Sequence, residues 1–192
     1  GCHPRSIQSP SMTGDEKRAV VGLWGVLGVG PRAIDRIRDA YPDLGVLADQ
    51  SPRSWLSGVR LPAPAREGLW ALDTTLGAHA ERLLERALDR KMSIAFPDDP
   101  AYPRGLAELK HAPALLFYQG RGDRPNGPRR LAMVGSRRFE QCARPAAEAL
   151  AREVATRLII VSGAAWGVDQ LCHEAAIAQR GETWAFMGAG LD

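Results

Sequence analysis

The chain has 192 residues, of which 45% are hydrophobic and 24% are charged, and its formal net charge is +3. This balance predicts one or two globular domains and excludes disordered, collagen-like and coiled-coil chains. The uncharged stretches fall short of the roughly 18 apolar residues of a membrane span, and the N-terminus has no apolar signal segment, so we expect a cytoplasmic protein without membrane contact.

The three cysteines, Cys2, Cys142 and Cys172, stand at no spacing that is typical of metal ligands. An odd number of cysteines also gives no support to a disulfide framework. We therefore predict free thiols, no metal site and no cofactor.

Arginine is concentrated in one window, residues 121–138. This window contains six arginines against a single aspartate, Asp123, so it is more positive than the whole chain. A localised basic patch is typical of proteins that bind an anionic partner, and nucleic acid is the commonest such partner. Arg129 and Arg130 in this window are therefore candidate DNA contacts.

The first half of the chain predicts an all-α domain. Residues 1–13 are rich in serine and proline and predict a flexible tail. Apolar residues then recur at helical spacing. They predict a helical domain over residues 14–91, with helices near 15–27, 31–41, 51–57 and 64–91.

The segment LGVGPRAIDRI at 27–37 is typical of a helix-hairpin-helix, or SAM-like, module. In such a module Gly28 and Gly30 expose N–H groups that can hold a backbone phosphate without reading the base sequence. An ordinary pair of antiparallel helices without a ligand explains the same residues equally well.

Residues 92–192 predict an α/β domain with a parallel sheet. Apolar runs alternate there with helical segments, which is typical of βαβ units. The chain stops at Asp192, directly after a strand, with fewer strands than a doubly wound sheet has. We therefore interpret this half as a truncated Rossmann-like domain, with strands at 131–135, 158–162 and 183–187 and helices near 140–156 and 168–180.

The first candidate site is the segment LAMVGSRR at 131–138, which places glycine, serine and arginine between a strand and a helix. The free N–H groups of such a junction favour a phosphate. Gly135 permits close approach, Ser136 can donate its hydroxyl, and Arg137, followed by Arg138, can form paired bonds to phosphate oxygens. A simple turn in which Ser136 caps the helix is the alternative, and both interpretations stay open.

The second candidate site is the segment IIVSGAAWGVDQLCH at 159–173. Its Ser162, Gly163 and Gly167 follow a strand, and the carboxyl ends of parallel strands meet at one edge of a sheet. We therefore expect both glycine loops to face one pocket. Trp166 in this loop can stack on a base or pack against the domain, and both possibilities stay open.

Asp169 and His173 follow in the same segment, one helical turn apart. A hydrolase would use Ser162 as nucleophile, His173 as base and Asp169 to orient the base. A helix-capping Asp169 that pairs locally with His173 explains both residues without catalysis, and we favour this structural role.

Three motifs in this order resemble the DprA/Smf family, DNA-processing protein A. They are VGSR at 134–137, IVSGAAWGVDQLCH at 160–173 and GETWAFMGAGLD at 181–192, and DPAYPRGLAELKHAPALLFYQG at 99–120 extends the similarity upstream. The GxG of the third motif alone is only weak support for a dinucleotide site. The resemblance implies a helical domain before an extended Rossmann fold, binding of single-stranded DNA, and loading of RecA during natural transformation of competent cells and recombination. It also implies a homodimer and no enzymatic activity.

Carried over to this sequence, the family's Gly-Ser-Arg turn falls on Gly135, Ser136 and Arg137. The Ser-Gly and Gly-x-Asp elements fall on Ser162, Gly163, Gly167 and Asp169, with His173 after them. Glu140, Cys142 and Ala143 stand where the family usually has a serine and a Tyr-Gly pair, and Ala164 replaces a leucine, so the resemblance is to a divergent member.

The alternative function is that of a Rossmann-type nucleotide-binding or sensing module. Such a module would use the same two loops for a small phosphorylated ligand. A groove that follows a DNA strand should bind longer oligonucleotides more tightly, and this property separates the two functions.

Overall fold

The computed structural model describes residues 11–121, 125–127, 129–138 and 144–188. The chain divides into two compact units, one ending at Asn126 and the other beginning at Gly127. The mixed α/β composition predicted from the sequence is confirmed. Among the described residues, no helix combines the length and the apolar character that crossing a membrane requires.

The first unit is mainly helical. Thr13 begins α1 by accepting a hydrogen bond from the N–H of Glu16, and Pro31 occupies the first turn of α2, where its missing N–H costs nothing. Fully buried side chains such as Leu23, Ile37 and Leu76 form the core between these helices. The helices are α1 (Gly14–Trp24), α2 (Pro31–Ala40), α3 (Pro52–Trp55), α4 (Ala63–Ala71) and α5 (Leu76–Asp89), with 3-10 turns at Leu44–Leu47 and Leu56–Gly58.

The helix predicted over 64–91 is two helices, α4 and α5. Leu72 leaves the helical conformation with extended backbone, and the Thr75 hydroxyl accepts the N–H of Ala78 and starts a new helix. Leu69 and Leu76 on either side of the break are both buried in the same core, so apolar spacing alone does not reveal it.

The first unit also contains a small antiparallel sheet. It is formed by β1 (Ser93–Ala95) and β2 (Leu116–Tyr118), and the short helix α6 (Arg104–Ala107) lies between them in the chain. Phe96 and Leu115 next to these strands pack in the same core as the helices. The domain boundary at 91/92 stays a prediction.

The second unit alternates strands and helices, as predicted. Its strands β3 (Arg130–Ala132), β4 (Ile159–Ser162) and β5 (Thr183–Ala185) are parallel and lie in the order β3-β4-β5. The helices between them are α7 (Arg144–Ala155) and α8 (Val168–Ala178).

Both helices of the second unit pack on one face of its sheet. Ile160 of β4 is fully buried beneath alanines of α7 and α8, Ala151 and Ala176 among them. Right-handed crossovers that step in one direction across a sheet produce this arrangement. Since all three strands run the same way, the loops after β3, β4 and β5 come to one edge of the sheet, which is called the carboxyl edge below.

Candidate functional site

The loop after β3 is a tight turn made by Ser136. Its hydroxyl accepts the N–H of Arg138 at 3.0 Å and donates to the carbonyl of the same residue. Ser136 therefore closes a turn with its own neighbour. Residues 139–143, between this turn and Arg144 of α7, lie outside the described residues, so the role of Ser136 as a helix cap stays a prediction. The side chains of Arg137 and Arg138 are exposed, and neither forms an ion pair with any residue that the structure describes.

The loop after β4 touches this turn because Gly167 has no side chain. A Cβ placed on Gly167 would lie 2.5 Å from the Ser136 carbonyl oxygen and 2.8 Å from the Arg137 Cα, and its φ of +101° favours glycine. The N–H of Val168 also donates to the Ser136 carbonyl at 3.3 Å. The two predicted glycine loops thus meet at the carboxyl edge.

Two buried polar side chains form hydrogen bonds to the backbone of the residues around these two loops. Ser162, 3% exposed, donates its hydroxyl to the Met133 carbonyl at 2.6 Å. Asp169, 7% exposed, accepts the N–H groups of Gly135 and Ala165, each at 3.4 Å. Asp169 therefore holds both the loop after β3 and the loop after β4. The N-cap residue of α8 is Gly167, so the expected capping role of Asp169 is wrong.

His173 is held by a different strand. Thr183 donates its hydroxyl proton to the Ile160 carbonyl, with 3.1 Å between the oxygens. The Thr183 oxygen therefore accepts a hydrogen bond from His173 Nδ1–H, and these two atoms are 2.6 Å apart. Burial lowers the pKa of His173 more than the negative charge of Asp169 raises it. The other ring nitrogen, Nε2, is buried and has no hydrogen-bond partner among the described residues.

These contacts correct the expected pairing of Asp169 with His173. No hydrogen bond joins the two side chains in the part of the chain described here, because each has a partner elsewhere. The nucleophile, base and orienting residue of a hydrolase are likewise not assembled, since the Ser162 hydroxyl donates to a backbone carbonyl.

The carboxyl edge retains groups that suit an anion. The N–H groups of Ser136, Arg137 and Gly163 have no acceptor among the described residues. Backbone N–H groups and arginine forks both suit the oxygens of a phosphate as hydrogen-bond donors. In the same loop Ala164 has a φ of +58°, a conformation that side-chain-bearing residues adopt at a cost and that is concentrated at functional sites.

The four arginines of the basic window that lie in the second unit stand at two places along β3. Arg129 and Arg130 stand at the beginning of β3, whereas the Ser136 turn follows its other end. Arg129 and Arg130 therefore stand away from the carboxyl edge, at the other end of β3. The Arg130 guanidinium lies 5.2 Å from the centre of the Trp184 ring.

The hairpin glycines differ in what they do in the first unit. Gly28 has a φ of +83°, and a Cβ there would lie 2.6 Å from the carbonyl carbon of Pro64. Gly30 is extended at φ −112° and ψ −175°, and no described atom lies within 4 Å of the position that a Cβ would occupy there. Leu27 at the tip is 87% exposed.

Sequence reasoning missed Thr183, which holds His173. A threonine at the start of a strand carries no local signal of this role, because the contact depends on where β5 lies beside α8. Some predicted features, namely Cys2, Glu140, Cys142, Ala143 and the second glycine of FMGAGLD, lie outside the described residues.

The fold and the carboxyl edge define a mixed α/β protein whose parallel strands end in a candidate anion site. A family model described as DNA recombination-mediator protein A matches residues 93–192, which is more than half of the chain. The chain belongs to this family, and the resemblance to DprA/Smf proteins is confirmed.

Individual relatives agree with this assignment. DNA processing protein DprA of Streptococcus pneumoniae is 36% identical over 149 residues, which are 78% of this chain and 48% of that protein. Protein Smf of Synechocystis sp. is 33% identical over 118 residues, 58% of this chain and 29% of that protein. The chain thus spans less than half the length of these two relatives.

A solved structure supports the fold as well. The X-ray structure of DNA processing protein A (DprA) from Streptococcus pneumoniae is similar over 95% of this chain and 60% of that chain, with a TM-score of 0.64 and 27% identity. The similarity therefore extends through both units of the chain.

Proposed function

We propose that this protein binds single-stranded DNA through its phosphates at the carboxyl edge and helps to load RecA in natural transformation and recombination. The observation that carries the proposal is the contact between Gly167 and the Ser136–Arg138 turn, which brings open N–H groups and two exposed arginines together. Membership of a DNA recombination-mediator family supports DNA as the source of the phosphate.

Phosphate binding suits a protein that must accept any sequence. Contacts to the backbone carry no base information, so they position a strand without selecting it. A strand held by its phosphates keeps its base edges free to pair in recombination, as the loading of RecA requires.

We also propose that the protein acts without enzymatic turnover. Ser162 and His173 are the residues that a hydrolase would need, and both are bound to structural partners, Met133 and Thr183. The finer features of the assignment are part of the same proposal: a helix-hairpin-helix module around Gly28 and Gly30, a Rossmann-like core from residue 92, a homodimer and a cytoplasmic location.

The test measures fluorescence anisotropy of labelled oligo-dT of increasing length. We expect affinity to rise over several nucleotides, since site sizes of single-strand-binding folds are about 4–16 nucleotides. Thymidine mononucleotides should compete poorly. A mononucleotide that displaced the longest strand at equal concentration would favour a sensor of small phosphorylated ligands instead.

The RecA step needs its own assay. Purified protein should accelerate RecA filament formation on DNA that is covered by a single-strand-binding protein, and the Arg137→Ala variant should accelerate it less. If wild-type protein bound DNA but left the rate of RecA filament formation unchanged, the proposed loading of RecA would be contradicted, while DNA binding would stand.

A further inference from the structure

Trp166 is the most exposed aromatic residue at the carboxyl edge, with 79% of its surface accessible. It belongs to neither hydrophobic core of the described residues. The structure thus favours the first of the two possibilities for this side chain, because its indole ring does not pack against the described part of the domain.

Trp166 is accompanied by apolar side chains from the two neighbouring strands. Val134 follows β3 and is 75% exposed, and Met187 follows β5 and is about half exposed. Single exposed apolar residues are ordinary, but a group of them at one edge of a sheet indicates a binding surface. The loop after each of the three parallel strands therefore contributes at least one exposed apolar side chain at the same edge.

This apolar group lies next to the proposed phosphate site. Trp166 immediately precedes Gly167, whose backbone touches the backbone of Ser136 and Arg137. A large flat apolar side chain is thus adjacent in the chain to the backbone that contacts the proposed phosphate-binding turn. A ligand that satisfies both must carry a flat apolar group and a negative charge close together.

An unpaired nucleotide has this combination. Its base offers a π-face to the indole, and its phosphate offers oxygens to N–H groups and arginine, whereas the bases of duplex DNA are stacked on one another. We propose that Trp166 stacks on the base of a nucleotide whose phosphate is held at the Ser136–Arg137 turn. This inference rests on the proposed function and adds to it a residue that selects single strands over duplex.

Stacking on tryptophan does not distinguish one base from another, since every base has a π-face. Trp166 therefore separates single strands from duplex without separating one sequence from another. The experiment compares two labelled strands of equal length, one of oligo-dT and one of abasic nucleotides with the same phosphates. It uses Trp166→Ala, Trp166→Phe and Arg137→Ala variants, with Trp70→Ala as a matched control because Trp70 is also exposed but lies in the first unit.

We expect Trp166→Ala to weaken oligo-dT binding about tenfold and to leave abasic binding unchanged. Trp166→Phe should retain most of the oligo-dT affinity, Arg137→Ala should weaken both strands alike, and Trp70→Ala should change neither. Because Trp166 is exposed, the Trp166→Ala variant should unfold at the wild-type urea concentration.

Several outcomes would overturn the inference. Equal weakening of both strands by Trp166→Ala, no weakening at all, or a lower urea midpoint for that variant would each contradict base stacking. If wild-type protein bound both strands equally and needed Arg137, the stacking inference would be contradicted and the proposed function would stand. If wild-type protein bound neither strand, both the inference and the proposed function would be contradicted. Binding to vesicles of phosphatidylglycerol that needed Trp166, with DNA binding unaffected, would assign the surface to a membrane instead.

Discussion

Gly167 meets Arg137 so closely that a Cβ on the glycine would lie 2.8 Å from the arginine Cα. No side chain fits between the two loops, and the φ of +101° at Gly167 would strain any other residue. The contact fixes where the arginine turn stands relative to the loop after β4.

Replacing Gly167 with alanine should therefore separate the loops. We expect the Gly167→Ala variant to lose about 2–3 kcal/mol of folding free energy from backbone strain, and to lose DNA binding with it. Urea unfolding followed by circular dichroism measures the first effect and anisotropy the second. Gly188→Ala is the control in the same unit, since no described atom lies within 4 Å of its Cβ position; equal losses in both variants would refute the importance of the contact.

Arg137 should contribute one phosphate contact to a bound strand. Arg137→Ala is expected to weaken binding of all sequences alike, and to flatten the slope of log affinity against log salt by roughly 0.7. Arg138→Ala should have a smaller effect. Arg129→Ala is the control at the other end of β3, and a loss there as large as that of Arg137→Ala would move the site away from the carboxyl edge.

Ser162 should matter for stability and not for turnover. Ser162→Ala leaves the part-buried Met133 carbonyl without its donor, which should cost about 1–2 kcal/mol. Ser136 is exposed, so the Ser136→Ala variant should lose less free energy of unfolding than Ser162→Ala. Nucleotide or DNA hydrolysis by wild-type protein that Ser162→Ala abolished would instead establish an enzyme.

His173 should make the second unit less stable in acid. Its pKa is lowered from 6.5 in the folded chain because burial disfavours the charged ring, so the unfolded chain binds the proton more readily. Stability should accordingly fall as the pH drops below 6.5 and the unfolded state gains protons first. The urea midpoint should decrease between about pH 7.5 and pH 5 by more in wild type than in His173→Asn, whose amide can still donate to Thr183. Parallel decreases in both proteins would assign the acid sensitivity to other groups.

The sequence predicted the features that depend on local patterns. Apolar runs predicted β3, β4 and β5, and the glycines at 163 and 167 correctly indicated a loop at the carboxyl edge. The contacts that depend on long-range geometry were not predictable in the same way. His173 was expected to pair with Asp169 one turn away, but β5 places Thr183 closer to the ring nitrogen.

Counting charges along the chain does not show where each arginine stands in the fold. Arg129 and Arg137 are eight positions apart in one basic window, and β3 lies between them, so Arg129 precedes the strand and Arg137 follows it. The break between α4 and α5 escaped the helical pattern because Leu69 and Leu76 face one core on both sides of it.

The Asp169 carboxylate affects how a bound DNA strand would dissociate from the proposed site. It lies beneath the carboxyl edge and occupies the N–H groups of Gly135 and Ala165, so it repels the phosphate that the remaining groups attract. Each phosphate would then be held weakly, and a strand would remain bound only by engaging several sites at once. Such a strand is released segment by segment, which allows another protein to displace this one progressively without waiting for a single tight bond to break.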